Sequence, residues 1–258
     1  MITNRSQLAK AKRIVVKVGS SSISGANESK IEVLVDALAA AHSRGQQVIL
    51  VTSGAIATGL PLLGIQAKPD DLATAQALAS VGQSRLIARY QSSLERYNIV
   101  AGQVLLTAGD LEGSETSDNA RSAMERLLEL RVIPIVNEND TVATAEIRFG
   151  DNDRLAAMVA ELIHADALIL LSDVDALYTL PPKEPGAERI TLVPYGQEPN
   201  AEIGGTGSTV GTGGALTKVS AAKQAGEAGI PVLLTSLNLV EAAITGEDVG
   251  TWFEAKGR

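Results

Sequence analysis

Five runs along the chain are apolar and rich in β-branched residues: Arg13 to Val18, Gln47 to Thr52, Val132 to Val136, Ala167 to Ser172 and Pro231 to Thr235. Apolarity that is continuous, with no polar residue at every second place, marks strands covered on both faces. Between these runs the apolar residues recur at helical spacing: Ile31, Leu34, Val35 and Leu38; Met124, Leu127 and Leu128; Leu155, Met158, Val159 and Leu162. Each set falls on one face of a helix. Gly45 and Gly229 stand where a helix gives way to the next strand, the place for a left-handed cap. Strand and helix in alternation predict an α/β protein with a mainly parallel sheet sandwiched between helices. A helical stretch from Asp70 to Tyr97 is predicted as an insertion or interface element. Pro181 to Pro199, with five prolines, is predicted as an exposed excursion. No internal repeat or interdomain linker is visible, so one domain over residues 1–258 is expected.

The polar motifs follow this scheme. Lys17-Val18-Gly19-Ser20 closes the first strand, Thr52-Ser53-Gly54-Ala55 the second, Asn137-Glu138-Asn139-Asp140 follows the third, and Ser172-Asp173 ends the fourth. All lie at strand C-termini, the edge where open α/β sheets place a ligand crevice. The loop Asn137 to Asp140 and the loop Gly150-Asp151-Asn152-Asp153 are ten residues apart. Asn and Asp cap helices and close turns, which explains either loop alone. Massed together beside buried strands, such side chains must find partners. A small ligand carrying an ammonium group and a carboxylate, such as an amino acid, supplies them.

Lys17 lies inside an otherwise apolar strand, a costly position unless an anion meets it or the side chain reaches water. Residues Gly204 to Gly214 hold six glycines in eleven positions and lead into Ala215-Leu216-Thr217-Lys218 and a helical pattern. Glycine lets backbone N–H groups approach phosphate oxygens, and a following helix adds the positive end of its dipole. The string is not a Walker A loop, since no glycine immediately precedes Lys218, and no Gly-x-Gly-x-x-Gly occurs. Lys17 and Lys218, each beside a glycine turn, are suited to hold a transferring phosphoryl group from two sides.

Composition narrows the classes. The chain carries 45% apolar and 20% charged residues, a net charge of −8 and only 3% aromatic residues. Nucleic-acid binding, which wants a basic stripe and stacking rings, is not expected. There are no cysteines and two histidines, His42 and His164, so thiol chemistry, a histidine-built zinc site and a Ser-His-Asp triad are not expected either. No apolar run reaches membrane-spanning length, and the N-terminus lacks an apolar signal core, so a cytoplasmic location is expected.

These residues resemble the amino acid kinase family, and most specifically its members that phosphorylate the side-chain carboxylate of glutamate. The matching strings are Val16 to Ser20, Val51 to Ala57, Val81 to Ile87, Asn137 to Glu146, Gly150 to Asp153 and Gly211 to Lys218. The run from Asn137 to Asp153 is the specific one; Lys17 and the glycine loop are shared more widely. The resemblance implies a three-layer αβα sandwich around an eight-stranded, mostly parallel sheet, with glutamate over the N-terminal half and ATP over the C-terminal half. It implies that Lys17 and Lys218 stabilise the phosphoryl group, with Asp153 orienting them. Ser53, Asp140 and Asn152 would bind glutamate, with Gly54, Asn137 and Asp151 as neighbours. Lys17, Gly19, Ser172, Asp173, Thr212, Gly213, Gly214, Ala215, Leu216, Thr217 and Lys218 would hold ATP. The nucleotide would bring Mg²⁺.

It further implies the first step of proline synthesis, inhibition by proline, a homo-oligomer (dimer or tetramer) and delivery of the product to glutamate-5-semialdehyde dehydrogenase. Ser172-Asp173 replaces the family's usual Thr-Asp and keeps the hydroxyl. Many members append a C-terminal RNA-binding-type PUA domain; this sequence is expected to be a short form without it. Other acceptors used on this fold (acetylglutamate, aspartate, carbamate, a nucleoside monophosphate) and a non-catalytic amino-acid sensor remain as alternatives.

Overall fold

The computed structural model describes residues 2–67, 69–142, 152–201 and 214–257. Its centre is an eight-stranded sheet, and each predicted strand is found within one or two residues of its expected bounds: β1 (Arg13–Lys17), β2 (Gln47–Val51), β4 (Ile133–Glu138), β5 (Ala167–Ser172) and β9 (Val232–Ser236). Three further strands complete it: β3 (Ala101–Leu106), β8 (Leu192–Val193) and β10 (Thr251–Phe253). The order is β3-β4-β2-β1-β5-β9-β10-β8. The six strands from β3 to β9 are parallel, and β10 runs antiparallel to β9.

Alternate residues of the continuous apolar strands enter two separate cores. Val16, Leu50, Ile135, Ile169 and Leu233 pack beneath α1 (Lys30–Ser43), α3 (Leu72–Glu95) and α8 (Val240–Thr245). Val15, Ile49, Val136, Leu168 and Leu234 pack beneath α4 (Ala108–Glu112), α5 (Ser114–Glu129), α6 (Asn152–Leu162) and α7 (Ala215–Glu227). This is the three-layer αβα sandwich that the pattern predicts, and the period-2 pleat is its cause. Gly45 and Gly229 take φ of 94° and 78°, the left-handed values expected of them. Among the described residues no helix is long and apolar enough to cross a membrane.

Two expectations need correction. Asn137 and Glu138 are strand residues, because their backbones pair with Leu105 and Leu106 of β3. Pro181 to Pro199 is not wholly an excursion: β7 (Arg189–Ile190) forms a small antiparallel pair with β6 (Leu177–Tyr178), and β8 joins the main sheet against β10, with Val193 buried. The predicted helix between Asp70 and Tyr97 is α3, one face of which buries Leu78, Leu86, Tyr90 and Leu94. It also touches α2 (Ala55–Leu62) backbone to backbone. A Cβ on Gly82 would lie 1.8 Å from the Ala55 carbonyl oxygen, and one on Gly59 2.2 Å from that of Leu78. Only glycine permits this approach.

Candidate active site

Parallel pairing sets the predicted motifs side by side at one edge of the sheet. Lys17 is level with Val51 and Leu170, and Val51 with Val136. Backbone bonds carry the ladder past the strand ends: Val18 N–H donates to Val51 O at 2.9 Å and Thr52 N–H to Val136 O at 2.8 Å. The polar residues that follow therefore converge on the crevice above β1, β2 and β4.

The centre is a buried ion cluster. Asp153, in the first turn of α6 where the helix dipole favours a carboxylate, is completely buried. Its Oδ1 lies 2.5 Å from Lys17 Nζ and its Oδ2 3.0 Å from Lys218 Nζ. Lys17 is 4% and Lys218 6% exposed. Burial alone would raise the Asp153 carboxyl, but the two ammonium groups outweigh it and hold the group below the usual carboxylate range. The Thr217 hydroxyl stands between Asp153 Oδ2, at 3.0 Å, and the Gly214 carbonyl, at 2.9 Å. One carboxylate thus aligns two lysines that are two hundred residues apart in sequence, and the cluster carries a net charge of about +1, fit to meet an anion.

A second buried assembly adjoins it through α6. Asn152 Nδ2 donates to the Thr52 carbonyl at 2.6 Å and to Asn137 Oδ1 at 2.9 Å; Asn137 Nδ2 donates to Gln83 Oε1 at 2.6 Å. Thr52 Oγ1 shares a 2.8 Å bond with the Tyr90 hydroxyl. Burial raises the pKa of that phenol, so it stays protonated. Asn137 and Asn152 are 1% and 2% exposed. Ser53 donates to the Val18 carbonyl at 3.0 Å, and Gly54 caps α2 at φ 104° with room for a Cβ only 3.4 Å from Ser20 Cβ. Glu138 projects from the other side of β4. Burial, then the charges of Asp140 and Asp110, push its carboxyl up to about 7, and its buried Oε1 has no hydrogen-bond partner among the described residues.

Other predicted residues surround these two assemblies. Gly19 lies over Lys17, whose Nζ would be 3.8 Å from a Cβ there. Asp173 accepts from Ser21 Oγ at 2.9 Å and Ser22 Oγ at 3.0 Å, so the turn after β1 is tied to the turn after β5. Ser172 ends β5, half-buried; Asp140 follows β4, also half-buried. Gly214, Ala215 and Leu216 are exposed at the start of α7, next to Thr217 and Lys218. Asp151, Thr212 and Gly213 lie outside the described residues. Sequence reasoning gave no role to Thr52, Gln83 and Tyr90. The signal was available for two of them: polar Gln83 and Tyr90 are seven apart on the face of α3 that buries Gly82 and Leu86.

The amino acid kinase family model matches residues 12–236. A glutamate 5-kinase of Clavibacter michiganensis subsp. michiganensis is 66% identical over 255 residues, covering 98% of both chains. One from Leifsonia xyli subsp. xyli is 66% identical over 98% of this chain and 94% of its own. One from Streptomyces coelicolor is 51% identical over 98% of this chain but 70% of its own. Among solved structures, carbamate kinase from Giardia lamblia bound to AMP-PNP superposes with a TM-score of 0.64 at 15% identity, covering 96% of this chain and all of that one. UMP kinase from Bacillus anthracis gives 0.65 at 14%, covering 96% and 97%. Those two share the fold; the first three share half to two thirds of the residues over nearly the whole of this chain. The chain belongs to the amino acid kinase family, within its glutamate 5-kinase branch.

Proposed function

We propose that this protein transfers the γ-phosphoryl group of ATP to the side-chain carboxylate of L-glutamate, giving L-glutamate 5-phosphate and ADP, the first step of proline synthesis. The observation that carries this reading is the Lys17–Asp153–Lys218 cluster standing against the Asn137–Asn152 amide assembly at one sheet edge. The first suits a phosphoryl group and the second suits an amino acid. Relatives named glutamate 5-kinase, matching over nearly the whole chain, support the same acceptor.

The acceptor carboxylate, with an ordinary pKa near ~4.3, is already an anion at neutral pH and needs no general base. Catalysis then consists of alignment and charge neutralisation. Lys17 and Lys218 sit on the charge that spreads over the transferring oxygens, and Asp153 keeps both ammonium groups at fixed positions before substrate arrives. Asp140 and Asn152, with Ser53, Gly54, Asn137 and Asp151 around them, hold the ammonium end of glutamate. Gly19, Ser172, Asp173 and the stretch from Thr212 to Lys218 hold the nucleotide. Among the described residues no group of three or more carboxylates or imidazoles gathers around one point. Mg²⁺ favours phosphate oxygens and its own waters and would come in with the nucleotide; the protein's own contribution is the lysine pair. On this reading the enzyme works in the cytoplasm as a homo-oligomer and hands its product to glutamate-5-semialdehyde dehydrogenase. L-Proline, with an α-carboxylate and a secondary ammonium but no side-chain carboxylate, binds the glutamate site unproductively.

ADP release measured across glutamate, N-acetylglutamate, aspartate, carbamate and UMP tests the acceptor; a preference for any but free glutamate refutes it, and no turnover of any would favour a sensor. Asp140→Asn should weaken glutamate by about 1.5–3 kcal/mol, the range for bonds to charged groups, with ATP little affected. Proline should raise the glutamate KM without lowering kcat, and a fall in kcat alone would point to a separate site.

A further inference from the structure

The amide assembly has a direction, and the backbone fixes it. Thr52 O is a carbonyl and can only accept, so the group of Asn152 that faces it at 2.6 Å is the amino group. The same Nδ2 lies 2.9 Å from the Asn137 side chain, which must present its oxygen. Asn137 therefore turns its own amino group outward, and at 2.6 Å it meets Gln83 Oε1. Both hydrogens of Asn152 Nδ2 are consumed. Its Oδ1, on a residue 2% exposed, is a buried acceptor that meets no donor among the described residues. An unmet acceptor of this kind is costly alone and is satisfied by an incoming donor.

Gln83 is held in place by the close approach of α3 to α2. Its neighbour Gly82 is the residue whose Cβ would strike Ala55 O at 1.8 Å, and Ala55 opens α2 directly after Ser53-Gly54. Seven residues on, Tyr90 grips Thr52, the other end of the same chain of bonds. Helix α3 thus holds both ends, and Gln83 is the end at which donor and acceptor can be exchanged, because it is half-exposed and no backbone group dictates its orientation.

We propose that Gln83 is a positioning residue: by accepting from Asn137, at the end of the relay opposite Thr52, it supports the polarity that the Thr52 carbonyl sets, so that Asn152 offers an oxygen to the ammonium group of the amino-acid substrate. It touches Asn137 and acts through it. The inference rests on the proposed glutamate reading for the ligand, but the relay itself can be examined without any substrate.

Three substitutions separate polarity from packing. Gln83→Glu can only accept, Gln83→Lys can only donate, and Gln83→Leu does neither. Gln83 is half-exposed, and thermal melts establish that each variant folds before its kinetics are compared. We expect Gln83→Lys and Gln83→Leu to raise the glutamate KM about tenfold or more, the loss of one well-placed polar bond, with kcat and the ATP KM within about twofold. Gln83→Glu should restore the glutamate KM to within about threefold of wild type. In parallel, solvent exchange of the side-chain amides of Asn137 and Asn152, followed by NMR without substrate, should stay slow in Gln83→Glu and quicken in Gln83→Lys. A glutamate KM equally impaired in Glu and Lys variants, or amide exchange indifferent to the two, overturns the proposal. Wild-type protein that neither binds nor turns over glutamate would instead overturn the substrate reading, while the exchange measurement still decides the relay.

Discussion

Replacing Asp153 by Asn keeps the side-chain shape and removes the one negative charge between two buried ammonium groups. The distances to Lys17 and Lys218, 2.5 and 3.0 Å, correspond to about 5–7 kcal/mol of attraction each at an effective dielectric of about 20. Desolvation of all three groups and the mutual repulsion of the lysines offset most of this. Breaking a buried pair from one side costs about 3–5 kcal/mol, because the remaining charge is left uncompensated. At about 2 °C per kcal/mol for a chain of this length, Asp153→Asn should melt about 6–10 °C below wild type. ATP or ADP supplies the missing negative charge, so saturating nucleotide should stabilise the variant more than it stabilises wild type. The wild-type advantage should also depend on pH with a definite sign. The folded pKa of Asp153 lies below the ordinary carboxylate value, so its stabilisation is present at neutral pH and is lost as pH falls through the acid range. Differential scanning calorimetry of both proteins, with and without ADP, reads all three effects. A melting temperature within about 1 °C of wild type without nucleotide would show that the cluster carries no net stabilisation and that Asp153 does not hold the lysines.

Lys17→Ala and Lys218→Ala should each lower kcat by about 10² or more while the glutamate KM changes less, since both act on charge that develops during transfer; near-normal kcat in steady-state assays of Lys218→Ala would remove it from that role. Gly82→Ala drives a methyl into the Ala55 carbonyl and should cost about 1–3 kcal/mol or more by urea midpoint, whereas Gly257→Ala, with nothing within 4 Å, should cost far less; equal losses would refute the close-packing argument. Glu138 titrates near 7 in the folded chain, above its unfolded value, so folding is favoured while it is protonated and stability falls as pH rises toward 7. Glu138→Gln should therefore gain on wild type between about pH 5 and pH 8, and a pH-independent difference in melting temperature would contradict this.

The sequence by itself determined the layers. Strands such as Arg13 to Val18 and Ala167 to Ser172 are apolar on both faces, and that requires helices on both sides, whatever the details. It also put the Lys17 and Asn137 motifs at strand ends on one edge, because parallel strands share a direction, and set Asp153 and Lys218 beside helical patterns. Weakly patterned edge elements were less legible. β3 carries Gly102 and Gln103 in a half-exposed strand, and β8 and β10 are two and three residues long, so their pairing depends on neighbours rather than on local propensity. What the tertiary structure alone decided is who bonds to whom. Motifs gave Asp153 and both lysines, but the distances that make one carboxylate serve two ammonium groups come from α6 packing over β1 and α7 packing against α6. Gln83 lay inside a matching string but carried no role in sequence, and Tyr90 read as an ordinary position on a long helix. They became part of the site because two glycines let α3 approach α2 closely enough to reach Asn137 and Thr52. Periodicity is a property of single elements and is written locally; hydrogen-bond partnership is a property of pairs far apart in the chain, fixed only when the elements pack.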